Sequence, residues 1–457
     1  MKFLEYLKLL QEKYHIPSSE ILDELCRCGI KISKSNLSHK LNGDRTICEE
    51  ELQVFIDVIR PSIAEEEKLR DLYKVYLFGE SEFEEVKLIK EYIEEFNSTF
   101  ASLISEQTIP LDNIADISDE RLLDSVLYTI ISEAWGNTSI KILCQPEYKK
   151  LVDILLYFSV NKSSEVQHLV CLSNDFKNDN NLYNIHCLRI LDKLVIRNHQ
   201  HTIRYFYDKV TARFNVLTAF PFFIIANCRV LLISYDFTSG YLLNDEDFAR
   251  KLSAEFDRMY SQTQELFQIV NNDIDFMQMC AEFERKTRKQ FFTLQFHPCV
   301  FFNNDARITA SCIRDDFLHK NELLDLISTR WNGLNNITGY HIHSSNGTLD
   351  FMETGLTTDM SETIFVPVEK KCRNIVMNKI RSNADQLELE LNEKFIKIPR
   401  PLSIACYDSG IVFISYKDVS ESRLIIRERS LYKSMMNFFS YVYKYETKQK
   451  TVWDNQI

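Results

Sequence analysis

Two stretches far apart in the chain carry one pattern, and they constrain the fold more than any composition figure. Pro221-Phe-Phe-Ile-Ile-Ala-Asn-Cys-Arg-Val-Leu-Leu-Ile-Ser-Tyr235 lies beside Pro401-Leu-Ser-Ile-Ala-Cys-Tyr-Asp-Ser-Gly-Ile-Val-Phe-Ile-Ser-Tyr416 with one residue of length difference. Each is an apolar run, a short polar break and a second apolar run, which reads as a buried β-hairpin. After a gap, each is followed by a helix with large packing positions: Phe248, Leu252, Phe256 and Tyr260 in the first, Leu431, Met435, Phe438, Phe439 and Val442 in the second. The pattern predicts two pseudo-repeated α/β halves over 118–270 and 280–457. Coincidence between two buried hairpins is the alternative.

The intervening sequence alternates in period. Ile140 to Cys144, Val166 to Leu172, Thr202 to Tyr207, Phe222 to Ala226 and Val230 to Tyr235 read as strands. Glu147 to Ser159, Leu182 to Ile196 and Asp245 to about Phe267 read as helices. That alternation predicts sheets layered with helices. Two α/β halves, each closing on a hairpin and a long helix, resemble the phospholipase D-like fold that some transcription regulators carry as a catalytically dead sensor domain. The active members of that family need His-x-Lys with a downstream Asp in each half, and no His here has Lys two positions later. The resemblance therefore implies a sensor and not a phosphodiesterase.

The first hundred residues differ in kind. Leu4, Leu7 and Leu10 give 1–14 an apolar face, Ile21, Leu22 and Leu25 give 18–28 another, and Leu52, Phe55, Ile56 and Ile59 a third. Ser18 or Ser19 is a candidate cap for the second of these helices. Between the second and third lies Ser33-Lys-Ser-Asn-Leu-Ser-His-Lys-Leu-Asn-Gly43. Ser33 suits an N-cap, Leu37 and Leu41 share an inward face, and Gly43 supplies a stop. Ser35, His39 and Asn42 then point away from the leucines, Asn36 and Ser38 lie beside them, and Lys34 and Lys40 flank the buried stripe. Short hydrogen-bonding groups facing out, with cations at the edges, are what a helix in a DNA major groove requires. The alternative is a plain polar surface helix. Ser-x-Ser-x-Leu-Ser-x-x-Leu-x-Gly at 33–43, within about sixty helical residues, resembles the lambda-repressor-like (Cro/repressor, XRE) helix-turn-helix family. Arg27-Cys28-Gly29-Ile30-Lys31-Ile32 makes the turn longer than that family's usual one.

Charge limits how such a helix could be used. The chain carries a formal −12 with 66 acidic and 54 basic residues, which argues against nonspecific polyanion binding by the chain as a whole, so that only a local patch can serve. One basic window stands out: Arg27, Lys31, Lys34, Lys40 and Arg45, with His39, against Asp44. So few phosphate contacts per subunit predict a homodimer on a pseudo-palindromic double-stranded DNA site. Acidic amphipathic segments at 64–78 and 81–100, broken at Gly79, predict a helical linker or dimerisation arm over 63–100, following a DNA-binding domain at 1–62. Adaptor helices that bind protein partners are the competing reading of this region.

Motifs for catalysis are scarce. Glycine is 10 of 457 residues, and no two lie within five positions of each other. Nucleotide-binding Gly-rich loops and the Gly-x-Ser-x-Gly elbow need closer spacing than that. The twelve Cys are spread singly through apolar segments, as at Cys144, Cys171, Cys228 and Cys406, with no Cys-x-x-Cys, and read as buried thiols in a reducing, cytoplasmic setting. Cys26-Arg-Cys28 reads as helix packing. His199-Gln-His201 and His341-Ile-His343 would face one metal if each pair lay on a strand; the simpler reading is surface or loop histidines, with no metal. For an effector, His186, Arg189, Tyr205, Tyr207, Arg213 and Asn215 cluster in sequence as a candidate pocket at strand ends, against the alternative of ordinary surface charge. No stretch resembles a signal peptide or an uninterrupted membrane span. The expectation is a multidomain chain in which an all-α helix-turn-helix domain and helical linker precede a large α/β sensor for a small-molecule or peptide effector. No cofactor and no enzymatic activity are expected. An enzyme or defence effector of nuclease or phosphodiesterase type, with a regulatory helical domain, is the alternative.

Overall fold

The computed structural model describes residues 1–95, 107–112, 114–160, 162–174, 181–208, 219–299, 305–334, 337–358, 361–382, 386–400, 402–408, 410–417 and 420–448. It divides into two compact units, 1–84 and 85–457.

The first unit is helical: α1 (Phe3–Lys13), α2 (Ser18–Arg27), α3 (Lys34–Leu41), α4 (Glu49–Ile59) and α5 (Ile63–Phe78), with the start of α6 (Glu80–Glu95). The leucine and isoleucine stripes seen in the sequence converge: Leu7, Leu10, Ile21, Leu25, Ile47 and Leu69 are fully buried in one core. Each such side chain contributes about 1.5–3 kcal/mol of burial. Helix ends follow their residues. Arg60 takes a left-handed conformation at the C-cap of α4 just before Pro61, where a helix cannot continue. Neither Ser18 nor Ser19 caps α2; Pro17 holds that position, and the Ser18 hydroxyl instead accepts a bond from Gln11.

The helical segment expected over 63–100 as a linker or dimerisation arm divides between the two units. Leu69 and Tyr73 of α5 are buried in the first unit's core, and the Tyr73 hydroxyl donates to the Ile47 carbonyl at 2.9 Å. Val86, Ile89, Tyr92 and Ile93 of α6 are buried as well, and Tyr92 donates to Asp192 at 2.6 Å inside the second unit. Residues 96–100 of the expected segment lie outside the described residues.

The second unit is an α/β assembly of two mixed eight-stranded sheets. The first uses β1 (Asp116–Ile117), α7 (Glu120–Ala134), β2 (Ile140–Leu143), α8 (Lys149–Ser159), β3 (Val166–Ser173), α9 (Asn181–Arg197), β4 (His201–Asp208), β5 (Phe222–Ala226), β6 (Arg229–Ile233), β7 (Gly240–Leu243), α10 (Glu246–Ser261) and β8 (Gln264–Glu265). The second uses β9 (Phe267–Ile269), α11 (Asp273–Lys286), β10 (Gln290–Gln295), α12 (Ala306–Cys312), α13 (Lys320–Gly333), β11 (Thr338–Ser344), α14 (Ser345–Thr354), α15 (Lys370–Ser382), β12 (Gln386–Leu391), β13 (Leu402–Tyr407), β14 (Gly410–Lys417), β15 (Ser420–Ile426), α16 (Arg429–Tyr441) and β16 (Thr447–Lys448).

The strand orders are β1-β7-β6-β5-β2-β3-β4-β8 and β9-β15-β14-β13-β10-β11-β12-β16. Three parallel strands, crossed over by helices, adjoin three antiparallel ones in each, so the sheets share one topology strand for strand. The register agrees too. Ile225, one residue before the end of β5, pairs with Lys141, whose neighbour on β3 is Gln167; Cys406, one residue before the end of β13, pairs with Phe292, whose neighbour on β11 is Tyr340. His168 and His341 follow at equivalent positions. The first hairpin turns on Asn227 and Cys228, both at positive φ (49° and 60°), the two-residue turn whose twist matches its strands.

Three sequence expectations change here. The helix read to Phe267 ends at Ser261, because the Thr263 hydroxyl and amide both bond back to the Tyr260 carbonyl and leave the following residues free to pair as edge strands. Phe248 is 40% exposed at its start rather than packed. Cys228, in the hairpin turn, is exposed, as are Cys26 and Cys28 at the end of α2.

Candidate nucleic-acid interface

The helix α3 is built by the features its sequence advertises. Ser33 is extended (φ −84°, ψ 158°), and its hydroxyl accepts the Asn36 amide at 3.1 Å. Leu37 and Leu41 are buried in the core. At the far end Gly43 sits at φ +88°, the Asp44 amide reaches back to the His39 carbonyl at 2.9 Å, and a Cβ at Gly43 would stand 3.2 Å from Leu4. The long connection from α2 is itself anchored. Gly29 turns at φ +84°, the Ile30 amide bonds to the Leu25 carbonyl at 2.8 Å, and Ile30 and Ile32 pack against the core.

With both leucines inward, Lys34, Ser35, Ser38, His39 and Asn42 are exposed, as are Arg27, Lys31 and Arg45 around them. Several are held by neighbours. Arg45 donates to Asn36 at 3.0 Å, His39 faces Asp44 at 2.8 Å, and Arg27 pairs with Glu24 at 2.7 Å. Lys40 departs from expectation. Its ammonium turns inward to the Thr46 carbonyl at 2.6 Å and to Glu51 at 2.8 Å, the Lys40 and Glu51 side chains being 14% and 5% exposed. That group fastens α3 to the first turn of α4 and is not presented to a phosphate. Lys8 of α1, absent from the sequence reading, reaches Asn42 at 3.2 Å and adds a cation beside the helix. No local pattern in 1–14 marks it, because its neighbour is brought by the fold.

The proposed effector residues do not converge. Arg189 is clamped by Glu91 and Glu95 of α6, which explains its conformation without a ligand. His186 is exposed on α9. Tyr205 donates to Gln264 at 2.8 Å, and Tyr207 donates to the buried Glu428 at the N-cap of α16. Arg213 and Asn215 lie outside the described residues. Three of the four paired histidines differ from the surface or loop positions expected. His199 is in a turn while His201 is buried on β4, its ring 5.5 Å from that of His168. His341 bonds to Thr293 at 2.8 Å, and His343 faces Glu388 at 3.0 Å, all of them buried rather than on the surface. Burial pushes the His168 imidazole down to about 4, a backbone bond to Cys144 opposing the shift. The sequence gives no sign of a further relay: the buried His297 lies between Thr358 and Asp350, each at 2.8 Å, with the exposed Arg400 on the other Asp350 oxygen at 2.5 Å.

Among the described residues, no helix is long and apolar enough to cross a membrane. No protein-family model and no curated protein matches the chain. Solved structures overlap it at low similarity. TrmBL2, an archaeal chromatin protein described as showing a novel mode of DNA binding, has 9% identity over 45% of this chain and 64% of its own, with a TM-score of 0.23. NucT from Helicobacter pylori has 6% identity over 40% and 97%, and the phosphatidylserine synthase of Haemophilus influenzae 11% over 80% and 91%, both at a TM-score of 0.23. The chain thus spans less than two thirds of the length of TrmBL2.

Proposed function

We propose that the chain is a DNA-binding transcription regulator without catalytic activity, in which α2 and α3 act as a helix-turn-helix and α3 reads the major groove. The observation that carries this is a capped, core-anchored helix whose outward face is Lys34, Ser35, Ser38, His39 and Asn42. Such a face offers donors and acceptors to base edges, while Lys31, Arg27, Arg45 and Lys8 supply phosphate contacts around it. With so few cations, binding as a homodimer to a pseudo-palindromic site supplies the affinity. The paired sheets of the second unit serve as the region where an effector or partner acts; of the candidate pocket residues, Arg189, Tyr205 and Tyr207 are held by Glu91, Glu95, Gln264 and Glu428.

The test is recovery of sheared genomic DNA by the full-length protein at about physiological salt, beside a Lys34→Ala/His39→Ala variant. A short palindromic site enriched by the parent and lost in the variant is expected. Equal enrichment by both proteins would refute the assignment of α3.

A further inference from the structure

The second unit carries a basic patch out of keeping with a chain of net charge −12. It forms where four stretches meet around Tyr407 and Asp408 at the end of β13. Just after α11, the Arg288 amide donates to Asp408 at 3.0 Å, and from the first turn of α16 the Tyr432 hydroxyl donates to the other Asp408 oxygen at 3.4 Å. At the end of β15, Arg427 lies 5.3 Å from the centre of the Phe283 ring on α11, and Phe283 in turn stacks on Tyr407, the last residue of β13. This junction displays Arg285, Lys286, Arg288, Lys289, Arg427 and Lys433, all exposed. The six cations outnumber the exposed acids among them: Glu282 is paired with Lys286 at 2.5 Å, Asp408 is exposed at the centre, Glu284 and Glu428 are buried, and Arg427 also donates to the neutral Gln268 at 2.8 Å.

Helix chemistry explains part of the cluster. Arg285 and Lys286 occupy the last turn of α11, where cations complement the helix dipole. It does not explain Arg288 and Lys289 beyond the helix end, or Arg427 and Lys433 contributed by other elements. The patch is contributed by a helix end, the residues just past it, a strand end and the first turn of α16. Cations spread over such a surface suit a run of phosphates, and guanidinium groups engage phosphate through paired donors.

We propose that this surface is a second contact for the backbone of double-stranded DNA, adding sequence-independent affinity to the reading by α3. The inference rests on the proposed DNA function, and the experiment separates the two. Affinity of the full chain for a duplex of unrelated sequence and for the recovered site is measured against salt, for the parent, for Arg288→Ala/Lys289→Ala/Lys433→Ala, and for Lys34→Ala/His39→Ala. None of the three patch residues uses its side chain in a described internal bond. Neutralising three phosphate contacts lowers the slope of log affinity on log salt by about 2.7, so between 50 and 200 mM salt the parent loses roughly 40-fold more affinity than the triple variant. The ratio of specific to unrelated binding is expected to stay unchanged in the patch variant and to fall in the α3 variant. Restoring Lys289 and Lys433 as Arg restores most of the slope. A triple variant with the parent's slope overturns the patch and leaves the α3 reading standing. A lower slope with an unaffected α3 variant supports the patch and overturns the α3 reading. Binding of phosphatidylglycerol vesicles by the parent, lost in the triple variant without any change towards DNA, also overturns the proposal.

Discussion

Asp192 makes the stability of the α/β unit depend on pH in an unusual direction. It lies on α9, 1% exposed, and accepts the Tyr92 hydroxyl at 2.6 Å. Burial pushes its carboxyl from 3.8 up to about 7, with Tyr92 and the neighbouring Lys193 pulling the other way. The folded chain thus holds a proton that the unfolded chain gives up near pH 4. Its contribution is fully present below pH 4 and is lost as pH rises through about 7, a total of about 4 kcal/mol for the full separation of the two values. Between pH 5 and pH 8 the loss is about 2.5 kcal/mol, roughly a 70-fold fall in the folded-to-unfolded ratio. Asp192→Asn keeps an acceptor for Tyr92 and removes the charge. Urea unfolding followed by tryptophan fluorescence isolates this unit, since all three Trp lie beyond residue 84. The stability difference, variant minus parent, is expected to grow by about 2.5 kcal/mol from pH 5 to pH 8, other titrating groups cancelling in the subtraction. A difference that stays flat over that range would refute the assignment of a buried, protonated carboxyl.

Two other outcomes follow from buried groups. Lys40→Ala leaves the Glu51 carboxylate buried without its partner, so thermal unfolding of the helical unit is expected to show a loss of about 3 kcal/mol, whereas Lys34→Ala, fully outside the core, changes stability by less than about 0.5 kcal/mol. The His168 ring resonances are expected to stay flat from pH 8 to pH 5 by NMR, because burial holds its imidazole near 4; since the unfolded chain takes up that proton first, its contribution to stability falls as pH drops from about 6.5 towards 4, and a midpoint above pH 6 would contradict the buried position.

Sequence periodicity was a good guide wherever the decisive contacts are local. Ser33 and Gly43 mark the ends of α3 because capping is settled within four residues. The two Ile-Ser-Tyr hairpins led to matched sheets because a repeat preserves topology even when side chains diverge. Failures came where the partner is distant in sequence. Lys40 looks like any other flanking lysine until Glu51 folds over it, and Arg189 looks like a pocket cation until α6 supplies Glu91 and Glu95, about a hundred residues earlier. The buried histidines were invisible for the same reason. Thr293, Glu388 and Asp350 reach them through strand pairing and helix crossover, which no spacing rule records.

The junction between the two sheets is very short. The edge strand β8 ends at Glu265, β9 begins at Phe267, and only the buried Leu266 separates them. Even that residue is fixed, its amide bonded to the Ile203 carbonyl of β4 at 2.9 Å, while the Val270 amide just past β9 bonds to the Arg423 carbonyl of β15 at 3.0 Å. One residue spans at most about 3.6 Å, so the edge of one sheet is tied to the edge of the other by a strut without slack. A shear of β4 against β15 by more than a few ångströms must unzip main-chain pairs on one side or the other. The last residues of one sheet's edge and the first of the other's are thus a single run of chain, pinned by main-chain bonds on either side of Leu266.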